Sequence, residues 1–187
     1  VKPWPCCRLS HPYVAAALSV RAALRDPASA TRITVAVNAS AAKLCHPIAA
    51  RRRPTTLQDA KYSIPYMTAF TLAHGAIDLR TLNDDALHDR AVQSVADRIE
   101  IAETLPDRPG HPPAQIAVET ADGRTVHSDR TLAFNLDDAA TRRKFNACLA
   151  AAGREAEEAQ TLWQQLTAPA GDARIDFLFA WTPPPIL

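Results

Sequence analysis

The chain has 187 residues, 47% of them hydrophobic and 22% charged, a balance that suits one folded domain, or one and a half, rather than a disordered chain. Its 21 basic and 20 acidic residues leave a formal charge of +1, so there is no basic footprint for nucleic acid. No apolar run reaches the length of a membrane span, no signal peptide is visible, and four sparse cysteines fit a cytoplasmic protein without a disulfide framework.

The opening, "VKPWPCCRLSHPYVAAAL", sets Lys2, two adjacent thiols, Arg8 and His11 just ahead of an Ala-rich helix over 12–25. Pro3 and Pro5 predict an extended approach from which Lys2 and Trp4 project stiffly. Pro12 suits the first helical position, with Ser10 or His11 at the cap. "TRITVAVN" alternates as a half-buried strand does, and "HPIAARRRPTT" is a turn-rich basic stretch. "LQDAKYSIPYMTAFTLAHG" predicts a helix interrupted or started at Pro65, which biases Ile64 away from helix, and stopped at Gly75.

"RAVQSVADR" is a helix and "IEIAE" a short strand; "AQIAVETADGRTVHSDR" is a β-hairpin turning at Asp122-Gly123. "NLDDAATRRKFNACLAAAG" is a helix opened by Asn135 and acidic residues, and "REAEEAQTLWQQLT" is another. The tail "ARIDFLFAWTPPPIL" ends in prolines; with Trp4 and Trp181 it is a candidate docking face. Segregated helices and strands predict an α+β fold, with a small, mainly antiparallel sheet of about four strands packed with helices, as a single domain over 1–187.

Glycine-rich phosphate loops are absent, as are G-x-S-x-G and H-E-x-x-H. Cys6, Cys7, Cys45 and His46 form a competing zinc reading, but they lack the two-residue gap of a zinc knuckle, and buried free thiols are preferred. The helix starts at Pro12 and Pro65 predict two positive ends. Lys2 and Arg8 lie beside the first; Lys61, Tyr66 and Arg51-Arg52-Arg53 lie beside the second. Brought together, they suit a substrate with several carboxylates. Each has a plainer reading: His11 as a cap, Tyr66 as a core aromatic, and the arginines as a solvated loop.

"KPWPCCRLSHPYVAAAL", "RRRPTTLQDAKYSIPYMTAFTLAHG", "VETADGRTV" and, more weakly, "RRKF" resemble the C-terminal domain of the MmgE/PrpD family over most of 1–150. That family includes 2-methylcitrate dehydratase, cis-aconitate decarboxylase and iminodisuccinate epimerase. The resemblance implies the smaller α+β lid of a dimeric two-domain enzyme whose helical N-terminal domain lies outside these residues; a chain starting without methionine fits such a piece. It implies catalytic positions at Lys2 and Tyr66, and at Cys7, where the decarboxylase has a histidine. It also places His11 on a motif histidine.

The expectation is half an active site for a metal-independent lyase or isomerase of di- and tricarboxylic acids, with no cofactor. Lys2 clamps or polarises a carboxylate, Tyr66 donates or relays a proton, and Arg8, His11, Lys61 and Arg53 support the anion. The competing expectation from another class is a stand-alone binding or interaction module with vestigial catalytic positions, suggested by Cys7 and by "LAFNLDDAATR" in place of the usual segment before "KF".

Overall fold

Alternation along "ATRITVA" buries Ile33 and Val35 on one face and turns Arg32 outward, making β1 (Ala30–Ala36) the axis of a four-stranded sheet. A computed structural model describes residues 1–24, 26–75, 77–108, 112–131 and 136–167. The other strands are β2 (Ile99–Ala102), β3 (Pro113–Thr120) and β4 (Thr125–Thr131), in the order β2-β1-β3-β4. β1 runs parallel to β2, with Ile33 opposite Ile99, and antiparallel to β3, with Ile33 opposite Val118. β3 and β4 are the antiparallel hairpin expected from the sequence. Its turn is fastened by Asp122, which accepts from the Thr120 hydroxyl and the Arg124 guanidinium; these bonds pull its carboxyl down to about 2. Arg32 crosses the sheet surface to Glu100 at 2.5 Å and Glu119 at 3.6 Å, tying both of β1's neighbours to it.

Contacts divide the chain into two compact units, residues 2–134 and residues 135–187 with Val1, and each is described by itself. In the larger unit, α1 (His11–Ala23) lies across β3 and β4 and against a long helix that follows later in the chain. The segment after β1 carries α2 (Ala39–Ala42), α3 (Ile48–Arg52), α4 (Leu57–Lys61) and that long helix, α5 (Ile64–His74). Every residue of α5 from Ile64 to Leu72 is buried, as befits a helix apolar nearly all round. It is the core helix, packed between α1 and α6 (Arg90–Asp97). The described residues of the smaller unit form a hairpin of α7 (Asp138–Ala151) and α8 (Ala156–Thr167), turned at Gly153 and held by Phe145 and Trp163, whose ring centroids are 5.3 Å apart.

The α+β class and the mostly antiparallel sheet agree with the sequence reading, while several local expectations do not. The basic stretch is not only turn: Ile48–Arg52 is helical, with Arg51 donating to the His46 and Tyr62 carbonyls and Arg52 to that of Ile99. Ile64 is not kept out of α5 but opens it, because Ser63 caps the helix and the Ile64 amide reaches the Leu44 carbonyl at 3.2 Å. The approach to α1 is bent rather than extended, with the Cys6 amide returning to the Trp4 carbonyl at 2.9 Å. Helix α7 is capped by Asp137, whose side chain accepts from the Ala140 amide at 2.6 Å. Asn135, Trp181 and the aromatic tail lie outside the described residues.

Gly75 closes α5 at φ +84, a conformation that L side chains rarely adopt. A Cβ there would meet Arg21 Nε at 3.3 Å. Arg21 is not free to yield, because its guanidinium caps the last turn of α5 at the Leu72 and Ala73 carbonyls, the latter at 2.9 Å. Gly75→Ala is therefore expected to cost about 1–3 kcal/mol. Urea unfolding of the variant checks this, and an unchanged midpoint contradicts it.

Candidate functional site

The opening segment is placed by one backbone contact. The Cys7 amide donates to the Lys61 carbonyl at 2.9 Å, laying residues 2–8 against the end of α4. A 3-10 turn over Arg8–Ser10 then runs directly into α1. The Ser10 amide bonds the Cys7 carbonyl at 2.9 Å, the His11 amide bonds the Arg8 carbonyl, and Pro12 has no N–H.

The start of α5 is closed as well. Its amides at Ile64, Tyr66 and Met67 are taken by the Leu44 carbonyl, the Ser63 hydroxyl and the Ser63 carbonyl, and Pro65 has none. The open, positive end expected at Pro65 is therefore not what the structure offers, because capping consumes the donors of α5, while α1 has no side-chain cap and follows directly on the 3-10 turn. Positive charge at the site comes from side chains instead.

His11 is buried beneath Trp4, the two rings meeting edge to face at 5.5 Å and 85°. Neither ring nitrogen has a hydrogen-bond partner of good geometry. Burial is the main force lowering its pKa. The charges of Lys2 and Arg8 add to the effect, and the Cys6 and Trp4 carbonyls only partly oppose it. Lys2 and Arg8 are exposed, Cys7 and Lys61 are half-buried, and all four belong to the segments that the Cys7–Lys61 contact joins. The result is a neutral imidazole beneath an exposed cationic rim.

Two of the residues expected here are engaged elsewhere. Tyr66 is 1% exposed, and its hydroxyl donates to the Ala86 carbonyl at 2.7 Å. Burial, then the nearby Asp89 carboxylate, push that hydroxyl up to about 12. A proton-relay role requires Tyr66 to leave Ala86. Arg53 donates to Gln93 at 2.9 Å and Asp97 at 2.6 Å, so it fastens the end of α3 to α6 rather than standing ready for an anion. The cysteines do not gather either: Cys45 is fully buried with its thiol pushed up to about 12 by burial, and His46 pairs with Glu103 at 3.0 Å. Among the described residues, no three His, Cys, Asp or Glu side chains converge as metal ligands. None of the described helices is long and apolar enough to cross a membrane.

A cleft of about 750 Å³ adjoins this rim through Arg8 and Leu9. Its other walls are Asn38, Ser40, Asp107, Arg108 and Pro112, none of which the motifs pointed to. A second cleft of about 460 Å³ lies by Phe70 and Ala86, beside a His74–Asp89 pair at 2.7 Å.

The buried imidazole yields a pH signature. Because its folded pKa is lowered, the unfolded chain binds the proton more readily, so this contribution to stability is full above the ordinary value of 6.5 and is lost as pH falls below it. His11→Gln is expected to flatten the loss of stability between about pH 7 and pH 5, relative to the parent. Denaturation midpoints across that range check it, and parallel curves for the two proteins contradict it.

The family model described as the MmgE/PrpD C-terminal domain matches residues 4–167. No individual curated protein matches the chain. With the match running from Trp4 at the rim through the whole described sheet and on to the end of α8, the chain belongs to the MmgE/PrpD family, as its C-terminal domain.

Proposed function

We propose that this chain is the lid half of a metal-independent lyase or isomerase of di- and tricarboxylic acids, working in the cytoplasm in a dimeric enzyme. A helical N-terminal domain of the same polypeptide supplies the rest of the site. The observation that carries this reading is the joining of the two motifs at the Cys7–Lys61 contact, which gathers Lys2, Arg8, His11 and Lys61 from distant parts of the sequence. Membership of the family supports the class of reaction.

The chemistry asked of such a site is removal of a proton next to a carboxylate, either with loss of a group from the neighbouring carbon or with return of the proton to the opposite face. Both pass through an enolate-like state whose extra charge falls on the carboxylate oxygens. Lys2 holds and polarises that carboxylate, and Arg8 and Lys61 add positive potential. His11 stays neutral below them, because burial and its cationic neighbours disfavour a further charge. Cys7 stands at the position where the decarboxylase has a histidine, which directs the reading towards elimination or epimerisation. Tyr66 relays a proton once its hydroxyl is released from Ala86; Arg53 acts indirectly, by holding α3 against α6.

The test is turnover by the full-length polypeptide of a panel of citrate-like and aspartate-like acids. Lys2→Ala is expected to lower kcat/KM by about 100-fold or more, with an unchanged melting temperature because Lys2 is exposed. Tyr66→Phe is expected to lower kcat by about 100-fold. Full activity of Lys2→Ala overturns the assignment of the rim, and full activity of Tyr66→Phe leaves that hydroxyl only its bond to Ala86.

A further inference from the structure

The parallel pairing of β1 with β2 has a chemical consequence beyond the rim. Parallel neighbours release their chains at the same edge of a sheet, and the crevice outside those carboxyl ends is where open α/β sheets bind ligands. Here the two exits are stitched together: the Val37 amide donates to the Ala102 carbonyl at 2.8 Å, and the Leu105 amide to the Val37 carbonyl at 3.1 Å. Asn38 and Ser40 leave one strand, and Asp107 and Arg108 leave the other, into walls of the same cleft of about 750 Å³. That volume suits a small organic acid. Arg8 completes the cleft, and its charge, like that of Lys2, reaches His11.

We propose that Arg108 is the specificity-determining residue of this cleft. It binds the second carboxylate of a di- or tricarboxylic acid whose first carboxylate is held at the Lys2–Arg8 rim. This deepens the polycarboxylate reading given above and rests on it for the identity of the substrate class. The lining carries the assignment. Among the described residues, it has two arginines, Arg8 and Arg108, and one carboxylate, Asp107. A guanidinium fork matches a carboxylate in two parallel hydrogen bonds, which an ammonium does not. Asn38 is buried, with its side-chain oxygen accepting from the Ala41 amide at 2.9 Å; that bond fixes the side chain, whose amide N–H groups are donors suited to a carboxylate. Ser40 adds an exposed hydroxyl. Asp107 gives the cleft a preference of its own, since its negative charge disfavours an anion that lacks a carboxylate placed to reach Arg108.

Calorimetric titration of the full-length polypeptide with citrate, succinate and propanoate tests this, alongside Arg108→Ala and Arg108→Lys. Arg108→Ala is expected to weaken citrate and succinate by about tenfold or more. It should change propanoate, which needs only the rim, by less than about twofold. Arg108→Lys is expected to restore part of the lost affinity, through charge without the fork. Equal weakening of all three acids, or no weakening of any, overturns the proposal. The readout is binding, so the two readings fail separately. Citrate captured through Arg108 by a protein that turns over no acid removes the reaction and leaves the site. Turnover of a polycarboxylate with affinity unmoved by Arg108→Ala removes the site and leaves the reaction.

Discussion

A hydrogen bond from the Cys7 amide to the Lys61 carbonyl joins the two segments on which the proposed site depends. Its partners are 54 residues apart and belong to different local structures, a bent approach and the last residue of α4. Burial of Cys6 in the core, with Trp4 packed against it, anchors the same segment. This amino-terminal arm turns at Trp4, the indole closes over His11, and the 3-10 turn leads straight into α1. The contact works because α4 and α5 are themselves fixed. Thr56 and Ser63 cap the two helices, and the Leu44 carbonyl receives the first amide of α5. The core helix thus holds α4, α4 holds the arm, and the arm presents the cations.

The electrostatics follow from that chain of supports. Helix starts are common anion sites because their first amides are unpaired. Here those amides are largely used for folding: α5 uses all of its available first-turn donors, and the start of α1 is absorbed by the turn before it. Side chains therefore carry the positive potential. Ammonium and guanidinium groups at an exposed rim lose little solvation in the resting protein and gain most when a closing partner excludes water. The buried imidazole below them stays neutral for the same reason that they stay charged: the rim is wet and the floor is dry.

Much of this fold was legible in the sequence because its signals are local. Alternation in "TRITVAVN" and in the arms of the hairpin, Pro12 early in α1 and Gly75 at the end of α5 are each read within a few residues. What escaped depends on partners far away. The helix at Ile48–Arg52 lies in a stretch whose arginines look solvated, yet Arg52 reaches the carbonyl of Ile99 and Arg53 reaches α6. Pro65 biases Ile64 against helix, but the Leu44 carbonyl and the Ser63 cap outweigh that bias. The site divides in the same way. Motifs pointed to Lys2, Cys7, Arg8, His11 and Lys61 as candidates, whereas the commitments of Tyr66 to Ala86 and of Arg53 to Asp97 needed coordinates. Arg108 has no motif at all; it matters because β2 runs parallel to β1, a pairing between residues more than sixty apart in the chain.

The proposed function requires that the surface where residues 2–8 meet α4 receives a carboxylate. A crystal structure of the full-length protein with citrate bound tests this most directly. A citrate carboxylate is expected about 2.7–2.9 Å from the Lys2 amine, on the face that covers His11. Citrate seated instead in the smaller cleft beside Phe70 and His74, with Lys2 and Arg8 left in solvent, would contradict it.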